Sequence, residues 1–218
     1  MAFLSLKKLL ETEKVPFVWG LDEAGRGPWA GPVVACALMF PQKSGFSGPQ
    51  IHGLKDSKQL NREQREKIYK KLVDKAIFGV GRAEHHEIDA LGLTKATNVA
   101  YKRAIEALLE QKEARQPELM LLDGRDKFHL PFQYKSIIKG DAKVKIIACA
   151  SIIAKVERDK LMREHAKKFP EYGFEDHKGY GTKRHQKALK EHGACEIHRA
   201  SYAPIVRITQ QKSIFPEE

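Results

Sequence analysis

Four acids in this chain have the type and placement to hold a hard metal ion: Asp22 and Glu23, Asp123, and Asp141. Asp22 and Glu23 end a stretch in which Val15, Phe17, Trp19 and Leu21 alternate with other residues. Asp123 follows four apolar residues, Leu119 to Leu122, and Asp141 precedes a long segment that starts apolar and finishes charged. Cations such as Mg²⁺ take oxygen ligands, typically one or two carboxylates completed by substrate phosphate oxygens. Two such ions about 3.5–4 Å apart activate water on one side of a phosphodiester and neutralise the leaving oxygen on the other. The plainer reading is that acids at strand ends lie in solvent or cap turns, and Asp141 has the position of an N-cap. Asp22 and Asp123 each follow an apolar strand directly and precede a small or flexible residue, a poor place to desolvate an idle charge. Spacing alone leaves both readings open.

The elements that must position these acids are legible as hydrophobic periods. Val15 to Leu21 has the period-two pattern of a half-buried strand, Val33 to Phe40 is a second apolar run, and Gly25 to Pro32 between them is a glycine-rich loop. A Gly/Pro-rich stretch from Pro41 to Gly53 reads as a surface loop. A helix then opens near Asn61 with an apolar stripe of Ile68, Leu72, Val73 and Ala76. Ile77 to Val80 suggests a third strand. Tyr101, Ala104, Ile105 and Leu108 recur at helical spacing, and Gln116-Pro117 closes that helix before a buried strand at Leu119 to Leu122. Tyr134 to Ile138 suggests a fifth strand, and Ile146 to Met162 a long helix. Three strands, then helix-strand, then strand-helix, predict an α/β fold with a mixed sheet flanked by helices. The expected organisation is a main domain over residues 1–170 and a small basic, mostly helical C-terminal subregion over 171–218 packed on it.

Thirty-nine Lys and Arg against 28 Asp and Glu leave a formal charge of +11, which favours a polyanionic partner through counterion release. The 3 cysteines are odd in number and widely spaced, so no disulfide framework can be drawn from them and a reducing compartment fits best. No 7–15-residue signal-like apolar run or membrane span is evident, and the expectation is a soluble, cytoplasmic protein, monomeric by default.

The string Asp22-Glu23-Ala24-Gly25-Arg26-Gly27-Pro28, with Ala30-Gly31-Pro32-Val33-Val34 behind it, closely resembles the opening signature of ribonuclease HII. Further matches follow in that family's order: Leu54 to Leu60 (LKDSKQL), Leu122-Asp123-Gly124, Lys139 to Lys143 (KGDAK), Ala150 to Asp159 (ASIIAKVERD), Gly179-Tyr180-Gly181-Thr182 with His185, and His198-Arg199 with Ser201-Tyr202. The resemblance covers roughly Val15 to Ile205. It implies an RNase H-like sheet in which Asp22, Glu23, Asp123 and Asp141 bind two Mg²⁺ or Mn²⁺ ions. It implies that the Gly25-Arg26-Gly27 loop reads the ribose 2′-OH through its backbone, and that Tyr180 stacks on the following deoxyribose. Ser57 and Lys58, and more weakly Arg26, Lys143, Thr182 and Arg199, would position phosphates, with solvated surface charge the alternative for the weaker four. The implied reaction is in-line attack of water on the phosphate 5′ of a ribonucleotide, in RNA/DNA hybrids or in duplex DNA carrying single ribonucleotides, leaving 3′-OH and 5′-phosphate ends. One departure is Arg125, where family members often carry an uncharged polar residue after the glycine.

Other features are weaker. His192, Cys195 and His198 recur every three residues, but a structural zinc site usually needs four ligands and another cysteine nearby. Cys149 reads as a small core residue. Gln211-Lys212-Ser213-Ile214-Phe215 is similar to the short peptides that dock on replication sliding clamps. The rival readings are another two-metal nuclease, such as a junction resolvase or exonuclease, which needs no ribose reader, and a non-catalytic duplex-binding protein, whose affinity the acids would weaken.

Overall fold

The computed structural model describes residues 17–41, 54 and 60–214, with side chains described to residue 210. Val15, most of the Pro41–Gly53 stretch, Ser57, Lys58 and Phe215 lie outside the described residues. Five strands form one sheet: β1 (Val18–Ala24), β2 (Val33–Met39), β3 (Ile77–Ala83), β4 (Leu119–Asp123) and β5 (Tyr134–Ile137), in the order β3-β2-β1-β4-β5. β2 pairs antiparallel with β1 and β3, while β4 runs parallel to both β1 and β5. The sheet is therefore mixed. Every residue of β2 is buried. A strand covered on both faces needs an unbroken apolar run rather than alternation, which is what Val33 to Met39 supplies.

Each face of the sheet carries its own core. On one face lies α5 (Lys145–Lys168), packed with Leu38, Leu119 and Leu121; on the other lies α3 (Leu93–Leu109), packed with Trp19, Leu21, Ala35 and Leu122. The first contact is close enough to specify a residue: a Cβ on Gly20 would stand 2.5 Å from the backbone oxygen of Ile146, so only glycine lets α5 lie flat on β1. α1 (Arg62–Val73) opens as the sequence suggests, with Asn61 capping the amide of Gln64 and the Gln64 side chain returning to the Asn61 amide. Its stripe is shorter than expected. Val73 is 44% exposed and Ala76 lies past the helix end, because the chain turns at Asp74 and Lys75 to enter β3. α5 is longer than its apolar stretch, running from Lys145 to Lys168, since the charged second half packs on the C-terminal subregion.

Among the described residues the remaining α-helices are α2 (His85–Leu91), α4 (Gly140–Lys143), α6 (Phe174–His177), α7 (Lys183–His192) and α8 (Ala203–Ile214). A third apolar cluster joins Ala30 of the β1–β2 loop and Met162 of α5 to Tyr172, Phe174, Leu189, Ile197 and Ile205. Backbone hydrogen bonds stitch that loop to the C-terminal subregion: Trp29 donates to Gly179, Gly31 to Ile197, and Arg199 to Trp29, at 2.8, 2.9 and 2.8 Å. Among the described residues no helix is long and apolar enough to cross a membrane.

Candidate metal centre and nucleic-acid cleft

The parallel pairing of β1 with β4 brings two of the acids together. Leu21 faces Leu122 across the ladder, so Asp22 and Asp123 follow side by side at the strand ends. Asp141 comes from the first turn of α4 and is 2% exposed, so it does not cap that helix; Lys139 holds the N-cap position. One carboxylate oxygen from each of Asp22, Asp123 and Asp141 lies within 4.8 Å of the others, which is the only such acid, His or Cys trio among the described residues. The Glu23 amide donates to Asp22 Oδ1 at 2.8 Å, and the Gly140 amide to Asp123 Oδ1 at 2.6 Å.

Glu23 does not join the trio, because alternate residues of a strand face opposite ways. It shares the α3 face with Leu21, and there the buried Tyr101 hydroxyl donates to its carboxylate. Asp22 shares the α5 face, where Ser151 hydrogen-bonds it. Burial first, then the charge of Glu23, pushes the Asp22 carboxyl well above the ordinary range, and burial likewise raises Glu23 against the pull of Tyr101 and Arg26. Three anionic oxygen donors converging from two strands and a helix, with two of the side chains buried, match what a hard divalent cation requires.

The trio opens into a cleft of about 660 Å³ that is also lined by Glu23, Gly25, Arg26, Gly27 and Tyr180. Gly25 has φ +96°, and a Cβ there would meet the Arg158 guanidinium, so the loop needs glycine on both counts. A Cβ on Gly27 would stand 3.5 Å from the Tyr180 ring, which is 51% exposed in the cleft wall. Arg26 is engaged at 3.5 Å with Glu23 and at 2.5 Å with Asp126. Beyond Asp123 itself, Asp126 is thus the residue of the Asp123-Gly124-Arg125-Asp126 stretch that pairs with the Gly25–Gly27 loop, whereas Arg125 is exposed.

Arg199 departs from expectation. It is fully buried, so it cannot contact phosphate, and its guanidinium serves carbonyls instead: Nε and Nη2 reach Gly31, Nη1 reaches Arg26 and the Tyr202 hydroxyl, and Nη2 also reaches Gly25. The exposed Thr182 caps α7 by accepting from the His185 amide, and neither it nor the half-buried Lys143 lines the cleft. Besides Arg26, the basic groups that do line it are ones to which the sequence assigns no phosphate role: Arg62 and Arg65 of α1, Lys155 and Arg158 of the Ala150–Asp159 motif on α5, and Lys178. Arg158 is 3% exposed and donates to Pro32, Lys178 and Ala30 at 2.9, 3.0 and 3.1 Å.

The histidines behind Tyr180 are structural. His185 Nδ1 meets the Tyr180 carbonyl at 3.0 Å, so it carries the proton and leaves Nε2 as an acceptor for His198 Nε2 at 2.9 Å. His198 Nδ1 is then bare and takes the Cys195 amide at 2.9 Å. The second bond requires His185 Nε2 to be unprotonated and the third requires His198 Nδ1 to be unprotonated, so in this arrangement both rings are neutral, and burial holds both down to about 4. With its Nδ1 and Nε2 so committed, His198 is not a zinc ligand.

The Ribonuclease HII family model matches residues 19–205. The chain is 45% identical over 199 residues to the ribonuclease HII of Endomicrobium trichonymphae, spanning 90% of each, and 46% identical over 205 residues to that of Desulfitobacterium hafniense, spanning 94% of this chain and 75% of the relative. Among solved structures, ribonuclease H2 from Pyrococcus horikoshii superposes with TM-score 0.72 at 29% identity, covering 89% of this chain and 97% of that one. An Archaeoglobus fulgidus RNase HII solved in complex with PCNA gives 0.67 at 24% identity, covering 85% and 95%. Bst-RNase HIII in complex with Mn²⁺ gives 0.66 at 18%, covering 91% and 71%; these last two likenesses concern the fold. On the family match and these relatives together, the chain belongs to the ribonuclease HII family and is a ribonuclease H, an endonucleolytic hydrolase.

Proposed function

We propose that the chain hydrolyses the RNA strand of RNA/DNA hybrids and also cuts 5′ of a single ribonucleotide embedded in duplex DNA, with Mg²⁺ or Mn²⁺ held by Asp22, Asp123 and Asp141 and, at the edge of the same cleft, Glu23. The observation that carries this reading is the convergence of the aspartate trio, the Gly25–Gly27 loop and Tyr180 in one cleft. Divalent metal at this site supplies charge neutralisation at the scissile phosphate and lowers the pKa of the attacking water. The chain's own residues set the geometry. Ser151 and the Glu23 amide hold Asp22, the Gly140 amide holds Asp123, and Tyr101 holds Glu23 on the opposite side of β1.

The Gly25–Gly27 backbone offers hydrogen-bonding groups to a ribose 2′-OH, and the exposed Tyr180 ring beside Gly27 offers a stacking surface for the neighbouring sugar. Together they select an RNA-to-DNA step rather than a base sequence. Arg62, Arg65, Lys155 and Lys178 along the cleft attract the phosphate backbone without reading sequence. Because that term is electrostatic, binding weakens steeply with added salt.

The test is cleavage of a labelled DNA duplex carrying one ribonucleotide, beside a long hybrid and an all-DNA control. Cutting only at the ribonucleotide's 5′ phosphate, in Mg²⁺ or Mn²⁺ and abolished by EDTA, is the expected result. Cutting of the all-DNA duplex would assign the site to a different nuclease activity, and binding without cutting would make it a duplex-binding protein.

A clamp is the second partner we infer, through Gln211–Phe215. The support is the peptide's pattern together with the Archaeoglobus relative's complex with PCNA. The backbone of α8 runs to Ile214. Removing residues 211–218 should abolish retention on an immobilised sliding clamp while leaving ribonucleotide cleavage within about twofold, since none of these residues is among those assigned to the metal site or the loop. Undiminished retention would dispose of this partner.

A further inference from the structure

Two of the three carbonyls of the Gly25–Gly27 loop point at one buried side chain. Gly25 O accepts from Arg199 Nη2 at 2.5 Å and Arg26 O from Arg199 Nη1 at 3.0 Å; Arg26 O also takes the Tyr202 hydroxyl at 2.9 Å. In a planar trans peptide the C=O of one residue and the N–H of the next point in opposite directions. With both carbonyls drawn inward, the amides of Arg26 and Gly27 are turned outward, and both residues line the cleft. Neither amide donates to another group among the described residues. Two successive outward N–H groups, backed by a buried guanidinium that enhances the dipole of each peptide, form a concave donor pair suited to an oxygen atom.

We propose that Arg199 is a positioning residue for sugar discrimination: by drawing the Gly25 and Arg26 carbonyls inward it makes the loop present donors to the 2′ oxygen of a ribose. This rests on the loop being the ribose reader. A guanidinium suits the role because its rigid fork spans three carbonyls, those of Gly25, Arg26 and Gly31, in one plane of donors; an ammonium is a point charge on a flexible stem and cannot hold all three in register. Substitution therefore acts on recognition of the 2′ oxygen while leaving the charges of the cleft untouched.

The experiment is fluorescence anisotropy with two labelled duplexes of one sequence, one carrying a single ribonucleotide and one all DNA, in Ca²⁺, for the wild type, Arg199→Lys and Tyr202→Phe. The wild type should favour the ribonucleotide duplex by about tenfold, the worth of one to two hydrogen bonds. In Arg199→Lys that ratio should fall to about 1–2, with the all-DNA Kd changed less than about twofold, since phosphate attraction is retained. Tyr202→Phe removes only one support of the Arg26 carbonyl and should lower the ratio by about two- to threefold. A merely structural role would weaken both duplexes in parallel, and that result, or an unchanged ratio in Arg199→Lys, overturns the proposal. Should Arg199→Lys not fold, an unchanged ratio in Tyr202→Phe does so instead. A wild type with no preference for the ribonucleotide duplex would overturn the reading of the loop itself, whatever Arg199 does.

Discussion

Asp22→Asn should cost on the order of 10³-fold or more in kcat and yet give a protein that melts at a higher temperature than the wild type in the absence of divalent metal. Both effects have one origin. Asp22 is 4% exposed, next to Glu23 and within a few ångströms of Asp123 and Asp141, so its charge is desolvated and repelled by its neighbours. Amide replaces carboxylate at nearly constant volume and can still hydrogen-bond Ser151, but it removes one anion from the trio. Each kcal/mol so recovered is worth about 2–4 °C in a chain of this size. The pH dependence follows with a definite sign. A carboxyl whose folded pKa is raised above its ordinary 3.8 contributes stability that is fully present below that ordinary value and is lost as pH rises through the folded value. The variant's advantage should therefore widen from acid toward neutral pH and close again in acid. Mn²⁺ should reverse the order, raising the wild-type melting temperature and leaving the variant's nearly unchanged. A variant that melts lower than the wild type at pH 8 in EDTA, or that retains a tenth of the activity, would show that Asp22 is not a strained ligand.

Several features of this site were open to a sequence reading because they are local. Asp22 and Asp123 stand at the ends of apolar strands, and the capping pair Asn61 and Gln64 is three residues apart, as a helix start demands. The order of the strands was accessible only as a class. Nothing in the Leu119 to Leu122 run says that it pairs with β1 rather than with β3, yet the parallel β1–β4 contact is what sets Asp123 beside Asp22. Glu23 illustrates the limit within a single strand. Adjacent acids look equivalent in a sequence, but period two sends one to Ser151 on the α5 side and the other to Tyr101 on the α3 side.

The buried arginines were not legible, and the reason is physical. Most of their partners are backbone carbonyls more than 100 residues away, which carry no side-chain signature: Arg158 to Pro32 spans 126 positions and Arg199 to Gly25 spans 174. An arginine beside a family motif in a +11 protein reads naturally as a phosphate contact. Only burial distinguishes a guanidinium that braces a loop from one that meets a substrate. The same holds for Asp126, whose ion pair with Arg26 crosses from the β4 end to the loop after β1.

Arg158→Met should lower stability by about 1–5 kcal/mol, a fall on the order of 10 °C at the upper end, without touching any acid of the trio. Two opposing effects decide the sign. Burial, assisted by the nearby Arg199 charge, lowers the Arg158 pKa from 12.5 to about 10, and replacing it with an uncharged side chain of similar length relieves that penalty, worth about 3 kcal/mol. Against this, the carbonyls of Ala30, Pro32 and Lys178 lose their donor, and hydrogen bonds to a charged group are worth about 1.5–3 kcal/mol each. Three such bonds outweigh the relief, because methionine offers nothing in return and the surrounding shell admits little water. The loss is also directional: Lys178 is two residues from Tyr180, while Ala30 and Pro32 belong to the glycine-rich loop, so Arg158 is the strut between the two walls of the cleft. Amide exchange at Gly31 and Gly179, whose N–H groups bond Ile197 and His177, should therefore accelerate more than exchange in the sheet. A melting temperature within about 2 °C of the wild type, a change below 1 kcal/mol, would mean that water or a shifted side chain takes over the three carbonyls and that the walls are joined by their backbone ladder alone.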